Sequence, residues 1–170
     1  RGLSPAELFG LRRCSFFKAA GTALLAIIPL YVLVSIVAAA VTWWAKDIWP
    51  DLQPQEAVKA FKTAGSLPLK ALMGVAAVVV APLVEETVFR GFIYGVLKRY
   101  TDGWFAALCS ASLFAIVHLH VGTFVPLFIL ALGLCAAYER TGSLLVPMWM
   151  HAIFNGVSTA LLLLLPDGPT

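Results

Sequence analysis

Charge is what this sequence lacks. Only 12% of its 170 residues are Asp, Glu, Lys or Arg, against ~25% in an ordinary soluble domain. The shortage is concentrated. Residues 19–45 hold no such residue for 27 positions, residues 103–138 none for 36, and residues 141–166 none for 26. A helix crosses the hydrocarbon of a bilayer in ~20 residues, so the run of residues 103–138 has room for two crossings. A further run, residues 71–84, lasts 14 positions and ends on Glu85 and Glu86, so a span built on it must continue through those charges. With 61% hydrophobic residues and a mean hydropathy of +0.90, the chain is not a soluble domain but an integral membrane protein.

The other absences narrow the reading. The three cysteines, Cys14, Cys109 and Cys135, are odd in number and show no ligand spacing, so they read as small packing residues, not disulfides or metal ligands. A net charge of +3 without a basic cluster excludes a nucleic-acid partner. No internal repeat, low-complexity segment or H-E-x-x-H helix is present. The chain starts on Arg1 without the charged, apolar and small-residue succession of a signal peptide. It therefore reads as a piece of a longer protein.

What is present is a succession of apolar segments separated by turn signals. The fold class expected is all-α, a polytopic transmembrane bundle of about five spans. Residues 1–18 form an amphipathic cytoplasmic lead-in with a helix-start signal at Ser4-Pro5-Ala6-Glu7. Residues 19–69 hold the first span (19–45), whose far end carries Trp43, Trp44 and Trp49 as an aromatic belt, and a polar connection in which residues 55–64 suit a short interfacial helix. Residues 70–166 form the core. There a helix over residues 68–100 is expected to kink at Pro82, which removes a backbone donor. A span over residues 104–120 follows. Gly122, Thr123 and Pro126 permit reversal, a fourth span runs to residue 138, and the last covers 144–165. Arg12, Arg13, Lys18, Lys98, Arg99 and Arg140 fall on one side of this arrangement and Lys46, Lys59, Lys62 and Lys70 on the other. The excess of Arg and Lys places the N-terminus in the cytoplasm.

Against this background four ionisable residues stand out: Glu85, Glu86, His118 and His151. Each sits in or beside apolar sequence, where a charged side chain costs at least ~2.5–3.5 kcal/mol and needs a partner or a wet cavity. Glu86 and Arg90 are one helical turn apart and can pair, which leaves Glu85 pointing elsewhere. That is also what a purely structural salt-bridge cluster would look like. His118 shares a helix face with Phe114, whereas His120, nearest the loop, reads as an interface residue. His151 and Asn155 are again one turn apart and present an imidazole and an amide to one point, as catalytic donors or as hydrogen-bond glue between helices. Together these groups can activate water in either of two ways. Glu85, His118 and His151 could hold zinc with water in the fourth position. Alternatively, a carboxylate base and a His could share a water while His and Asn donate to an oxyanion.

Three motifs carry a resemblance. Glu85-Glu86-Thr87-Val88-Phe89-Arg90-Gly91 fits E-E-x-x-x-R. Phe114-Ala115-Ile116-Val117-His118 fits F-x-x-x-H, and His151-Ala152-Ile153-Phe154-Asn155 fits H-x-x-x-N. In this order and inside apolar segments they resemble the CPBP family, also called the Abi or type II CAAX-protease-like family, over roughly residues 70–160. The resemblance implies an intramembrane endopeptidase in which Glu85 is the catalytic carboxylate and His118 helps it activate water. His151 and Asn155 would form the oxyanion site, with Glu86 and Arg90 in support. It favours a metal-free reaction over zinc. It also implies a peptide or membrane-anchored, prenyl-type protein substrate and a lipid environment, with cleavage near the cytoplasmic face. The short loops and high Ala and Val content point to a bacterial inner-membrane location, which argues against a prenylated substrate. Two other functions stay open. One is a non-catalytic binding or bacteriocin self-immunity protein on the same fold. The other is a proton-coupled carrier, for which the repeated halves common in such proteins are missing.

Overall fold

The structure, a computed structural model, describes residue 7 and residues 9–50 and 53–164. Among the described residues it is all helical. Helix α1 is Phe16–Ala45, α2 is Glu56–Thr63, α4 is Gly103–Ile116, α5 is Val121–Thr141 and α6 is Leu145–Leu164. Between α2 and α4 runs α3, the continuous helical segment Leu67–Leu97. The chain is an integral membrane protein: α1, α3, α5 and α6 are each long and apolar enough to cross a bilayer. The helix-start signal at residues 4–6 lies outside the described residues.

The helix starts are chemically explicit. Ser15 caps α1 by accepting from the Lys18 amide, Ser66 caps α3 by accepting from Leu69, and Asp102 caps α4 by accepting from Trp104 and Phe105. Each side-chain oxygen takes an amide that has no carbonyl one turn earlier to bond. His120 caps α5: its Nδ1 accepts from the Thr123 amide at 3.2 Å and its Nε2 donates to the Gln53 carbonyl at 2.7 Å. The α4–α5 reversal is therefore tighter than residues 122–126 suggested. α5 begins at Val121 and takes Pro126 inside it.

α4 is also shorter than the span expected over residues 104–120. It stops at Ile116 after 14 residues, about 21 Å of helix against a ~30 Å hydrocarbon core. Leu119 supplies the stop by taking a left-handed conformation at φ 50, a place usually filled by glycine. His118 consequently sits just beyond the helix, in irregular backbone. Such backbone is tolerated at membrane depth only where it lines a cavity or is buried in protein.

Packing follows small residues. Ala19, Ala23, Ile27 and Val34 of α1 meet Leu130 and Leu134 of α5 and Val146 and Met150 of α6 in the main apolar core. A second cluster joins Phe89 of α3, Ala111 and Phe114 of α4 and Ala131 of α5. Large outward side chains such as Phe17, Leu25, Leu72 and Phe92 stay exposed, as lipid-facing residues do.

The lead-in is docked on the α5–α6 turn. The Phe9 carbonyl accepts from the Leu144 amide at 3.1 Å. Gly10 and Gly142 both have left-handed backbones, at φ 60 and 62. A Cβ on Gly10 would lie 1.9 Å from the Gly142 carbonyl oxygen, whereas one on Gly142 would meet the tip of Arg13 at 2.6 Å. Either alanine carries a left-handed penalty of about 1–2 kcal/mol, but only the first collides with backbone. Gly10→Ala is therefore expected to lower the thermal midpoint of the purified protein more than Gly142→Ala. The reverse order would show that the lead-in does not dock in this way.

Candidate active site

The long helix α3 carries the site because its register changes twice. A π-helical turn, Ala76–Val80, precedes the α-helical segment Ala81–Glu86, and a π-helical stretch, Thr87–Tyr94, follows. The expected disturbance at Pro82 takes this form. The widened turns lie on either side of Glu85 and Glu86, and such turns are frequent at functional sites.

Glu86 and Arg90 are fully buried. Arg90 Nη1 donates to Glu86 Oε1 at 2.9 Å, Nη2 donates to the Ala131 carbonyl at 3.0 Å, and the guanidinium lies 4.7 Å from the centre of the Phe114 ring. His151 Nδ1 is 2.8 Å from the same Glu86 oxygen. A carboxylate already paired with Arg90 is an acceptor, so Nδ1 carries a proton and donates to it. This leaves His151 Nε2 on the cavity side, 3.8 Å from Glu85 Oε2. That oxygen is buried and has no hydrogen-bond partner.

His118 is brought in from the end of α4. Its Nδ1 donates to the Phe114 carbonyl at 2.7 Å, one of the carbonyls a helix end leaves open. Nε2 is thus the nitrogen left for other chemistry. The His118 and His151 rings both lie against Phe114, with centroids 4.8 and 5.7 Å from its ring. Asn155 Nδ2 donates to the Ala77 carbonyl on α3 at 2.8 Å, which leaves its second amide hydrogen available.

Glu85, His118, His151 and Asn155 all line one cavity of about 460 Å³. Glu86 and Arg90 are not among its lining residues; they stand behind His151. The cavity occupies one half of the bundle, from Glu85 and His151 in mid-helix to Thr42 and Leu162 near the ends of α1 and α6. Helix α2 lies along it, with Ala57, Val58 and Phe61 in its wall, and Gln55 reaches across to Thr123 Oγ1 at 2.7 Å. That half is the one carrying residues 46–50 and 53–66, opposite Arg12, Arg13, Lys98 and Arg140. Among the described residues, no group of His, Cys, Asp or Glu is gathered closely enough to hold a metal ion.

Sequence reasoning missed two participants. Phe114 is more than a motif letter: it lies against His118 in a tilted contact, meets His151 edge-on and takes the Arg90 guanidinium over its ring. The Ala77 carbonyl is invisible in sequence, since its donor is 78 residues away.

Fold and site together define a class, an all-α integral membrane protein with a carboxylate, two imidazoles and an amide gathered on one cavity between its helices. Residues 67–157, more than half of the chain, match the family model "Type II CAAX prenyl endopeptidase Rce1-like", and the chain belongs to that family. It is 32% identical over 84 residues to a Bacillus subtilis (strain 168) protein named "Putative membrane peptidase YdiL", a match covering 49% of this chain and 34% of that one. It is 37% identical over 78 residues to an Escherichia coli protein named "Uncharacterized 24.3 kDa protein", covering 43% of this chain and 36% of the other. The chain thus spans about a third of the length of the curated relatives it matches. No solved structure matches it.

Proposed function

We propose that this chain is the catalytic core of a membrane-embedded endopeptidase that hydrolyses a peptide bond of a membrane-associated peptide or lipid-anchored protein in a bacterial inner membrane. The observation that supports it best is the unpartnered Glu85 Oε2, buried beside His151 Nε2 on a cavity shared with His118 and Asn155. A buried carboxylate oxygen without a donor is costly, and its place is explained if a water or substrate supplies the missing bond. Glu85 and His118 then hold the water. Glu85 takes its proton as the oxygen bonds to the scissile carbonyl carbon. His151 Nε2–H and the second amide hydrogen of Asn155 donate to the oxyanion. As the C–N bond breaks, Glu85 returns the proton to the leaving amine.

The reaction proposed needs no metal. An amide such as Asn155, one helical turn from His151, serves better as a donor than as a zinc ligand. The test is cleavage of membrane-anchored peptides by purified protein in ¹⁸O water. New C-termini carrying the label are expected, with turnover unaffected by chelators and zinc well below stoichiometric. Zinc bound in a one-to-one ratio, removed by chelation and restored together with activity, would make this a metalloprotease. Failure to cleave any anchored peptide in reconstituted membranes would return the chain to a binding role.

A further inference from the structure

Asn155 does something on α3 that its place beside His151 does not announce. In the π-helical turn Ala76–Val80 the bonds run five residues back, and the Ala81 amide donates to the Ala76 carbonyl. The next bond in that register would run from residue 82 to the Ala77 carbonyl. Residue 82 is proline and has no amide hydrogen. The Ala77 carbonyl takes its hydrogen from Asn155 Nδ2 instead, at 2.8 Å. The two helices are neighbours here: a Cβ on Gly156 would meet Val78 Cγ1 at 3.7 Å and one on Gly74 would meet Thr159 Cγ2 at 3.9 Å, ordinary van der Waals distances.

This tie is one of two between α3 and α6 that bracket Glu85. The other is His151 to Glu86 at 2.8 Å. Between them lies the α-helical segment Ala81–Glu86, and Glu85 Oε2 has no bond of its own to fix its direction. We infer that Asn155 is a positioning residue: it closes the carbonyl that Pro82 leaves open, and so fixes the rotation of α3 that aims Glu85 into the cavity. The inference rests on the hydrolase reading for its effect on turnover, but the tie itself does not.

A two-residue cycle tests it. Asn155→Ala opens the Ala77 carbonyl, and Pro82→Ala supplies an amide hydrogen that can close it. Small displacements of a catalytic group can cost ~10²-fold in rate, so Asn155→Ala is expected to lower kcat by about that factor with a smaller change in KM, and to lower the thermal midpoint. Pro82→Ala alone should stay near the wild-type rate. The double variant should regain at least ~10-fold of the lost kcat, together with most of the lost midpoint. An amide that acted only on the oxyanion could not be replaced from position 82. A double variant no faster than Asn155→Ala would therefore overturn the positioning role, even if its midpoint recovers. If neither rate nor midpoint recovers, the tie is absent as well. Should the wild-type protein release no peptide at all, the hydrolase reading fails, and the midpoint cycle alone decides whether Asn155 closes the α3 turn.

Discussion

Glu85→Gln is expected to lower peptide turnover by about 10²–10⁴-fold, the usual worth of a positioned general base, while the protein stays at least as stable as the wild type. The asymmetry follows from the bonding. Glu85 Oε2 is buried without a donor, and His151 Nε2 is 3.8 Å away, beyond direct hydrogen bonding. An amide there removes an unpartnered carboxylate oxygen and breaks no bond. Residues kept for chemistry commonly lower stability in this way. Glu86→Gln should behave differently although it is the adjacent residue. One Glu86 oxygen serves both Arg90 and His151, so its loss should lower stability and turnover together. The decisive measurement is the pair of variants, each assayed for labelled peptide release and for thermal midpoint. A Glu85→Gln protein with wild-type turnover would sink the assignment. Loss confined to a well-folded Glu86→Gln protein would exchange the two roles.

How much of this was legible in the sequence depended on distance along the chain. The apolar runs gave α1, α3, α5 and α6 within a few residues, because a bilayer imposes length and composition directly. The pairing of Glu86 with Arg90 was legible because four residues make one helical turn. The interfacial helix expected over residues 55–64 is α2, Glu56–Thr63. Its amphipathic pattern did not say that it would lie along the cavity. The end of α4 was not legible: the left-handed stop is made by Leu119, where a glycine would have signalled it, so His118 was placed inside a helix that ends before it. Pro82 announced a disturbance but not its form, since a missing amide can kink a helix or widen it. The partners that matter most, Glu86 with His151 and Asn155 with Ala77, are 65 and 78 residues apart. No local pattern encodes such pairs. They exist because α3 and α6 pack side by side, with Gly74 facing Thr159 and Gly156 facing Val78.

Arg90→Met should be the most damaging change to the fold, at about 3–5 kcal/mol, the range for removing one partner of a buried ion pair. Arg90 is fully buried and holds three things at once: Glu86, the Ala131 carbonyl on α5 and the face of Phe114. Methionine fills part of the volume but leaves Glu86 as an uncompensated charge in the bundle interior. The hydrogen bond that holds His151 Nδ1 then rests on a carboxylate without its counter-charge. Arg90→Lys should fall between. A compact ammonium can still meet Glu86 but cannot also span to Ala131 as the planar fork does. Adding Glu86→Gln to Arg90→Met removes the stranded charge, so the double variant should be more stable than Arg90→Met alone, while turnover stays low because His151 has lost its anchor. Unfolding followed in detergent for the two single variants and the double gives the coupling directly. An Arg90→Met protein that unfolds at the wild-type midpoint would mean that Glu86 is held without its guanidinium partner. A double variant no more stable than Arg90→Met would place the cost in lost packing on Phe114 and Ala131, not in the stranded carboxylate.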